Sequence, residues 1–383
     1  MTSRIRAELE IPQPLELTRQ DTLALKAVAI LLIVAHNFLH QVMPTPAESE
    51  FGFVFTRGVV RMFSICITYP LEIPHALLAY FGHMGVSVFV LLSGYGLTRK
   101  LLDRSSQQTR VSVGYREIIA GQFRKMAHLI AIGAVMVVAY RFAVRGGAYD
   151  WVQDLKDLAA FLTMTSNLRS GAWGEFVTVW WFFGLIIQMY WLFPLLVWQS
   201  EKRGNAVLLG SFALLAVAGM CYSAPSISER YILFATPLAH LATFVLGIQL
   251  ALGRKVHPQM VQLCAGILLL AVFSPVFFPA QGIAFVIVTV YAYQNKGRAL
   301  SLMPSVQRIG RASAFIFLVH GFLREPWVEF INWLHLDSCF DRQTLNPLTT
   351  YSGLILWLAF VFAAAAAAKW IYQKTDLTQR KAD

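Results

Sequence analysis

The residues best suited to chemistry in this chain lie in one apolar stretch near its start. Residues 23–43 are almost wholly apolar and are long enough to cross a bilayer as a helix at ~1.5 Å per residue. This stretch nevertheless contains Lys26, His36, Asn37 and His40. Ionisable side chains are costly inside a membrane helix, so they usually mark a functional site. The competing interpretation is that the lysine extends to the interface and that the histidine only hydrogen-bonds a neighbouring helix.

The spacing of these residues distributes them along one helix. Lys26 and His36 are separated by ~15 Å along the helix axis, whereas His36 and His40 are one turn apart and share a face. The span therefore offers a cation near one membrane surface and imidazole groups towards the other. This arrangement suits chemistry that acts across a membrane.

The composition predicts the fold class. The 383 residues are 57% hydrophobic and only 14% charged, whereas soluble proteins average ~25% charged residues. Because apolar segments recur throughout, we expect one all-α, polytopic transmembrane bundle over 23–371, with short tails at 1–22 and 372–383. About ten spans are expected, at 23–43, 77–97, 126–144, 176–198, 206–222, 231–252, 259–274, 277–293, 312–331 and 352–371.

The charge distribution predicts the orientation. The formal net charge is +11, but the basic residues lie in short loops between apolar spans, which indicates membrane topology and lipid headgroups rather than nucleic acid. Segments on the same side of the membrane as the amino terminus contain about three times as many Lys and Arg residues as the loops on the opposite side. Both termini are therefore predicted to be cytoplasmic. The cysteines show no metal-binding spacing. Cys66 and Cys339 both fall in predicted outer loops, and their pairing remains open.

Further polar side chains are predicted inside the bundle. His83 lies at nearly the same predicted depth as His36, so the two could meet in one cavity. His320 and Arg324 fall within the ninth span, ~12–18 Å from the cytoplasmic edge. The arginine should face the protein interior and pair with a carboxylate. A transmembrane tunnel would explain these positions together, and separate interhelical hydrogen bonds are the alternative.

Six motifs follow one another in the chain. They are the Lys26 to AVAILLIVAHNF stretch, GVSVFVLLSGYGL, GQFRKMAHLI at 121–130, WWFFGLIIQMYWLFPLL at 180–196, ATFVLGIQLA at 242–251 and IGRASAFIFLVHGF at 309–322. In this order, over residues ~20–372, the chain resembles the acyltransferase-3 family of integral membrane O-acyltransferases, of the surface polysaccharide O-acetyltransferase type.

The resemblance implies a reaction and its partners. An acyl group, by default acetyl, would move from cytoplasmic acyl-coenzyme A to a hydroxyl of an extracytoplasmic glycan or lipid-linked sugar, in the bacterial inner membrane. Acyl-coenzyme A would be a co-substrate, and no permanently bound cofactor, metal or nucleic acid is implied. His36 would be the general base, since a positioned imidazole can take a hydroxyl proton during attack on a thioester.

The resemblance also implies two further groups of residues. The acyl-donor site would contain Lys26, in place of the family's arginine, together with Arg124 and Lys125. The reaction chamber would be lined by Ser93, Tyr95 and His320, with Gln188 and Tyr190 behind them. His83 and Arg324 are added to this chamber because of their predicted depth.

The chain also departs from the family pattern. Asn37 follows His36 where many members have another histidine, so His40 remains a second candidate for the base. His128 occupies a position where the family has a further arginine. A transporter or flippase for a lipid-linked or anionic solute is the alternative function, although the inverted repeats and paired broken helices of many transporters are not found in the sequence.

Overall fold

The structure is a computed structural model that describes residues 17–39, 56–105, 111–145, 150–163, 167, 176–222, 234–324, 326–327, 330 and 347–375. The described helices are α1 Arg19–Leu39, α2 Arg61–Thr68, α3 Ile73–Phe81, α4 Gly85–Ser105, α5 Val111–Arg145, α6 Trp151–Leu162, α7 Trp181–Arg203, α8 Asn205–Tyr222, α9 Pro237–Ala251, α10 Pro258–Phe273, α11 Gln281–Ala292, α12 Pro304–His320 and α13 Pro347–Thr375. His40 and Cys339 lie outside the described residues, so the second base candidate stays a prediction and the cysteine pairing stays open.

Each predicted span overlaps at least one helix, which confirms the all-α polytopic bundle. Within the described ranges, five helical stretches are long and apolar enough to cross a membrane. They are Arg19–Leu39, Pro70–Arg104, Gly114–Ala143, Trp181–Arg203 and Thr350–Thr375. The other predicted spans correspond to shorter helices. Several of those are strongly apolar.

The sequence pattern leaves residues 98–125 as a basic loop between the second and third predicted spans. This prediction is wrong, because most of the segment is helical. Helix α4 continues to Ser105 and α5 begins at Val111. Hydropathy marks only the apolar part of a helix, so the polar, basic ends that continue beyond the bilayer are missed.

The predicted start of the ninth span is also wrong. Helix α12 begins at Pro304, a residue type favoured at the first helical position, and it ends at His320. His320 is therefore ~24 Å from the start of its helix rather than 12 Å. Arg308 and Arg311 in the first turns had hidden this part of the helix from a hydropathy pattern.

Glycines set the closest helix contacts in the bundle. Helices α4 and α9 run side by side, and a Cβ atom on Gly94 or Gly247 would meet the carbonyl oxygen of Phe244 or Leu91, respectively. Helices α1 and α12 make the other extensive contact, where a Cβ on Gly310 would meet the Leu23 carbonyl oxygen. Small residues allow such backbone approach between membrane helices. These contacts fix how α1, α4, α9 and α12 are rotated against one another.

A buried ion pair connects α5 to the amphipathic helix α6. Nη1 of Arg141 donates to both carboxylate oxygens of Asp154 at 3.1 Å, and Nη2 donates to the Phe176 carbonyl oxygen at 2.9 Å. The two side chains are only 10% and 12% exposed. One arginine thus joins α5, α6 and the segment that leads into α7.

Replacing Asp154 with alanine is expected to lower the free energy of unfolding by about 2 kcal/mol, because the largely buried Arg141 charge loses its partner. Thermal unfolding of the purified protein in detergent measures this. Asp157→Ala is the matched control, since Asp157 only accepts an exposed hydrogen bond from Gln153, and surface pairs contribute little. Equal unfolding temperatures for the two variants would contradict this role of the ion pair.

Candidate active site

Two ends of the bundle can be distinguished. Helices α1 and α12 run parallel, because Gly310 lies against Leu23 and Asn37 lies against His320. We call the end at which these two helices begin the basic end. Helices α4, α9 and α11 begin at the opposite end, which we call the far end, where residues from their first turns share one small cavity.

A cavity of about 360 Å³, which we call the lysine cavity, lies towards the basic end between α1, α4, α5, α7 and α12. Two cationic side chains line it, Lys26 and Lys100. The Lys100 ammonium group also interacts electrostatically with Lys26, Lys125 and Arg104. Because these charges repel one another, an anion would stabilise them, and charge-assisted hydrogen bonds to phosphate are the strong ones. The other lining residues are Thr22, Phe89, Leu92, Ser93, Gly96, Leu97, Gln122, Phe182, Phe183, Tyr190, Ser313, Ala314 and Phe317.

The structure places the predicted donor-site residues at different distances from this cavity. Lys26 lines it, whereas Arg124 and Lys125 are exposed on α5, where only Gln122 lines the cavity. Lys100 was missed because the sequence pattern put it in a loop. Its spacing of seven residues from Ser93 would have indicated a shared helix face, had the helix been extended that far.

The catalytic candidate His36 lies deeper, towards the far end. Its side chain is 1% exposed, and its ring centroid is 5.5 Å from that of His83, with 58° between the ring planes. Gly82 makes this approach possible, because a Cβ there would lie 2.6 Å from Cβ of His36 and 2.7 Å from the Leu32 carbonyl oxygen. The structure therefore brings these two histidines together.

His320 is held in a defined orientation beside α1. Its Nδ1 atom is 2.8 Å from the Phe317 carbonyl oxygen and 3.2 Å from that of Ile316. Since a carbonyl oxygen only accepts, we assign the proton to Nδ1, which leaves the lone pair on Nε2. The Asn37 amide nitrogen lies 3.5 Å from Nε2 and donates to the Ile33 carbonyl oxygen at 2.9 Å. Both amide hydrogens of Asn37 thus have acceptors.

Three packed aromatic rings line the lysine cavity, and one of them also contacts a histidine. Phe317 lies 5.0 Å from Phe182 between ring centroids, and Phe89 lies 6.3 Å from Phe182. We call these three residues, all of which line the cavity, the aromatic layer. The Phe317 ring also lies 5.2 Å from that of His320. We call His36, His83 and His320 the histidine layer. None of the three lines the lysine cavity, so the predicted chamber consists of two parts.

The remaining predicted chamber residues have different surroundings. Ser93 and Tyr190 line the lysine cavity, and their hydroxyl groups interact. The Tyr95 hydroxyl instead accepts from the Leu17 backbone N–H at 3.0 Å and anchors the segment before α1. Gln188 exchanges two hydrogen bonds with Asn167, at 3.1 and 2.9 Å, and so stabilises packing. Arg324 is half-buried beyond the end of α12 and interacts electrostatically with His320.

The family assignment agrees with this geometry. The family model described as an acyltransferase domain, that of the acyltransferase-3 family, matches residues 24–371, nearly the whole chain. The chain therefore belongs to the acyltransferase-3 family, and it is an integral membrane acyltransferase. In comparisons with curated proteins and with solved structures, no protein matches it significantly.

Proposed function

We propose that this acyltransferase moves an acyl group, by default acetyl, from acyl-coenzyme A to a hydroxyl of an extracytoplasmic glycan or lipid-linked sugar. The observation that carries the proposal is the division of the site. A cationic cavity suited to a phosphorylated donor lies towards one end, and a buried histidine layer lies beyond an aromatic layer towards the other. We further propose that both termini are cytoplasmic, in a bacterial inner membrane, so that the basic end meets the cytoplasmic donor.

The donor would enter through the lysine cavity. Lys26 and Lys100 would pair with its phosphate groups through charge-assisted hydrogen bonds, with Arg124 and Lys125 attracting it at the exposed rim. The thioester must then pass the aromatic layer to reach His36. Phe317 contacts both the cavity and His320, so movement of this one ring would connect the two parts.

The transfer step needs one base and one oxyanion donor. The acceptor hydroxyl oxygen forms a bond to the thioester carbonyl carbon while His36 takes the hydroxyl proton. As the tetrahedral oxyanion collapses, the carbon–sulfur bond breaks, and the proton on His36 neutralises the departing thiolate. The amide hydrogens of Asn37 are committed to Ile33 and His320. The His83 imidazole lies next to His36 and is the other candidate donor to the oxyanion, in exchange for its bond to the Tyr80 carbonyl oxygen.

The function can be tested with the full chain in proteoliposomes. Radiolabelled acetyl-coenzyme A is supplied at the basic end, with a membrane lipid and glycan extract as acceptor. Appearance of label in an alkali-labile ester is the expected result. Movement of a solute without covalent change would instead support the transporter alternative and would overturn the proposal.

Lys26→Ala and Lys100→Ala are each expected to raise the KM for acetyl-coenzyme A about tenfold, because a hydrogen bond between charged groups contributes ~1.5–3 kcal/mol. The turnover number should change much less, since the lysines lie on the donor side of the aromatic layer. Initial rates over a range of donor concentrations measure this. Lys255→Ala is the control, because Lys255 is exposed in the turn after α9. Unchanged KM values in both cavity variants would exclude the lysine cavity as the donor site.

A further inference from the structure

A second, much smaller cavity lies at the far end, next to the histidine layer. Its volume is about 10 Å³, which is room for roughly one water molecule or one hydroxyl group. We call it the polar pocket. It is lined by His83, Met84, Val86, Ser87, Phe234, Ala239, His240, Phe278, Pro279, Gln281 and Gly282. Among the residues that the structure describes, no carboxylate, lysine or arginine lines it, so a neutral group suits this lining better than an ion.

The amide of Gln281 is the strongest sign that this pocket binds something. Its side chain is 1% exposed, and neither amide atom has a hydrogen-bond partner within the described part of the chain. It lies next to His83, which also interacts with the Tyr80 backbone carbonyl, but among the described residues neither the Gln281 amide nor Nδ1 of His83 has a partner at hydrogen-bond geometry. A buried polar group without a partner is costly. A ligand group that both donates and accepts would remove this cost.

The other polar groups around the pocket agree with an oxygen-bearing ligand. Nε2 of His240 is 2.9 Å from the Phe234 carbonyl oxygen, so this nitrogen donates and Nδ1 keeps a lone pair. Helices α9 and α11 both begin at the pocket, and neither Thr236 nor Ala280 caps its helix with a side-chain hydrogen bond. Helix amino termini favour electronegative atoms. A hydroxyl group can accept from these donors and donate to the imidazole.

His83 connects the pocket to the proposed reaction centre. It lines the pocket, its ring lies 5.5 Å from that of His36, and on another side it stacks on Phe278 at 5.9 Å. A ligand with one hydroxyl in the pocket and another at His36 would therefore have both hydroxyls next to His83. Such a ligand must carry more than one hydroxyl group.

We propose that the polar pocket is a subsite for a second hydroxyl of the acceptor, and that Gln281 selects polyhydroxy acceptors over simple alcohols. This inference rests on the proposed function, because it assumes that a hydroxyl is acylated at His36. It assigns to the acceptor a neutral polyol surface, such as a sugar ring with adjacent hydroxyls.

The test compares two acceptors that share one alkyl chain, octyl β-glucoside and octan-1-ol. The full chain in proteoliposomes receives radiolabelled acetyl-coenzyme A and either acceptor, and the ratio of the two kcat/KM values is measured. The wild-type protein should prefer the glucoside. Gln281→Met, which conserves volume but removes the amide, should lower the ratio at least tenfold, mainly through the KM of the glucoside. The octan-1-ol rate and the KM for acetyl-coenzyme A should stay within twofold.

Two further variants keep the result interpretable. Gln249→Met removes another buried glutamine, which donates to the Gly204 carbonyl oxygen. Even if this variant lowers the amount of folded protein, the ratio of the two kcat/KM values should stay unchanged. Ser87→Ala removes one pocket hydroxyl without adding bulk and should also lower the ratio. It provides the test if Gln281→Met fails to fold.

The possible outcomes separate a failure of the proposed subsite from a failure of the proposed acyltransferase function. If the wild-type protein acylates both alcohols but the pocket variants keep the ratio within twofold, the subsite is wrong and the acyltransferase mechanism stands. If the wild-type protein acylates neither alcohol, the subsite falls together with the proposed acceptor class.

Discussion

His36→Ala is expected to reduce acetyl transfer by about 10²–10⁴-fold, the usual contribution of a general base, while acetyl-coenzyme A binding stays within twofold. The separation of effects follows from the structure. His36 belongs to the histidine layer, beyond the three phenylalanines, whereas the cationic groups face the lysine cavity on the other side. Transfer rates and equilibrium binding of the donor, measured on the same proteoliposomes, test both parts.

A matched histidine variant provides the control for this experiment. His257→Ala removes an exposed imidazole at the start of α10 and should leave the transfer rate unchanged. His320→Ala gives a further comparison, because His320 is the imidazole of the histidine layer on α12, and its Nε2 lone pair could act as a base if it released the Asn37 amide. Full activity of His36→Ala together with inactivity of His320→Ala would move the base from α1 to α12. Weakened donor binding by His36→Ala would contradict the division of the site.

Gly247→Ala is expected to destabilise the protein by at least ~3 kcal/mol, the upper range for overpacking a tight contact. A Cβ atom at this position would meet the Leu91 carbonyl oxygen and would lie 2.9 Å from the Tyr95 backbone nitrogen. Both neighbours are backbone atoms in the middle of α4, so neither can rotate away. Helices α4 and α9 would have to separate, and α4 carries Ser93 and Lys100 of the lysine cavity.

The opposite result is expected for a glycine in an open position. A Cβ on Gly266, within α10, would meet no atom within 4 Å. Gly266→Ala should therefore raise stability slightly, by up to ~1 kcal/mol, because alanine is the better helix former. Thermal unfolding in detergent, followed by tryptophan fluorescence, measures both variants. A Gly247→Ala protein as stable as Gly266→Ala would show that the two helices are not in backbone contact.

The sequence alone predicted the class of fold and the residues to test first. A long apolar stretch can pair all of its own backbone N–H and C=O groups within a membrane only as a helix, and every such group needs an internal partner there. Depth along a helix follows from residue number at a fixed rise. That is why counting from predicted ends placed His36 and His83 at one level. The order of six motifs was sufficient to indicate the family that the comparison then showed.

Counting residues from the predicted end of a span gave wrong positions wherever a helix continued into polar sequence. Lys100 was assigned to a loop, and the helix that carries His320 was predicted to begin at residue 312 rather than at Pro304, because basic residues conceal helix ends from a hydropathy pattern. Tyr95 and Gln188 show a second limit. Both lie in family motifs, yet one hydrogen-bonds Leu17 and the other hydrogen-bonds Asn167. Membership of a motif therefore did not decide which way a side chain faces.

Only the tertiary structure decided which side chains share a space. Whether a residue on a buried helix faces a cavity depends on the rotation of that helix, and nearly uniform hydrophobicity around α9 and α11 leaves this rotation undetermined by sequence pattern. Close glycine contacts such as Gly94 against Phe244 fix the rotation instead. These contacts divide the site at the aromatic layer. They also orient Gln281, which no motif singled out, towards His83, the histidine next to His36.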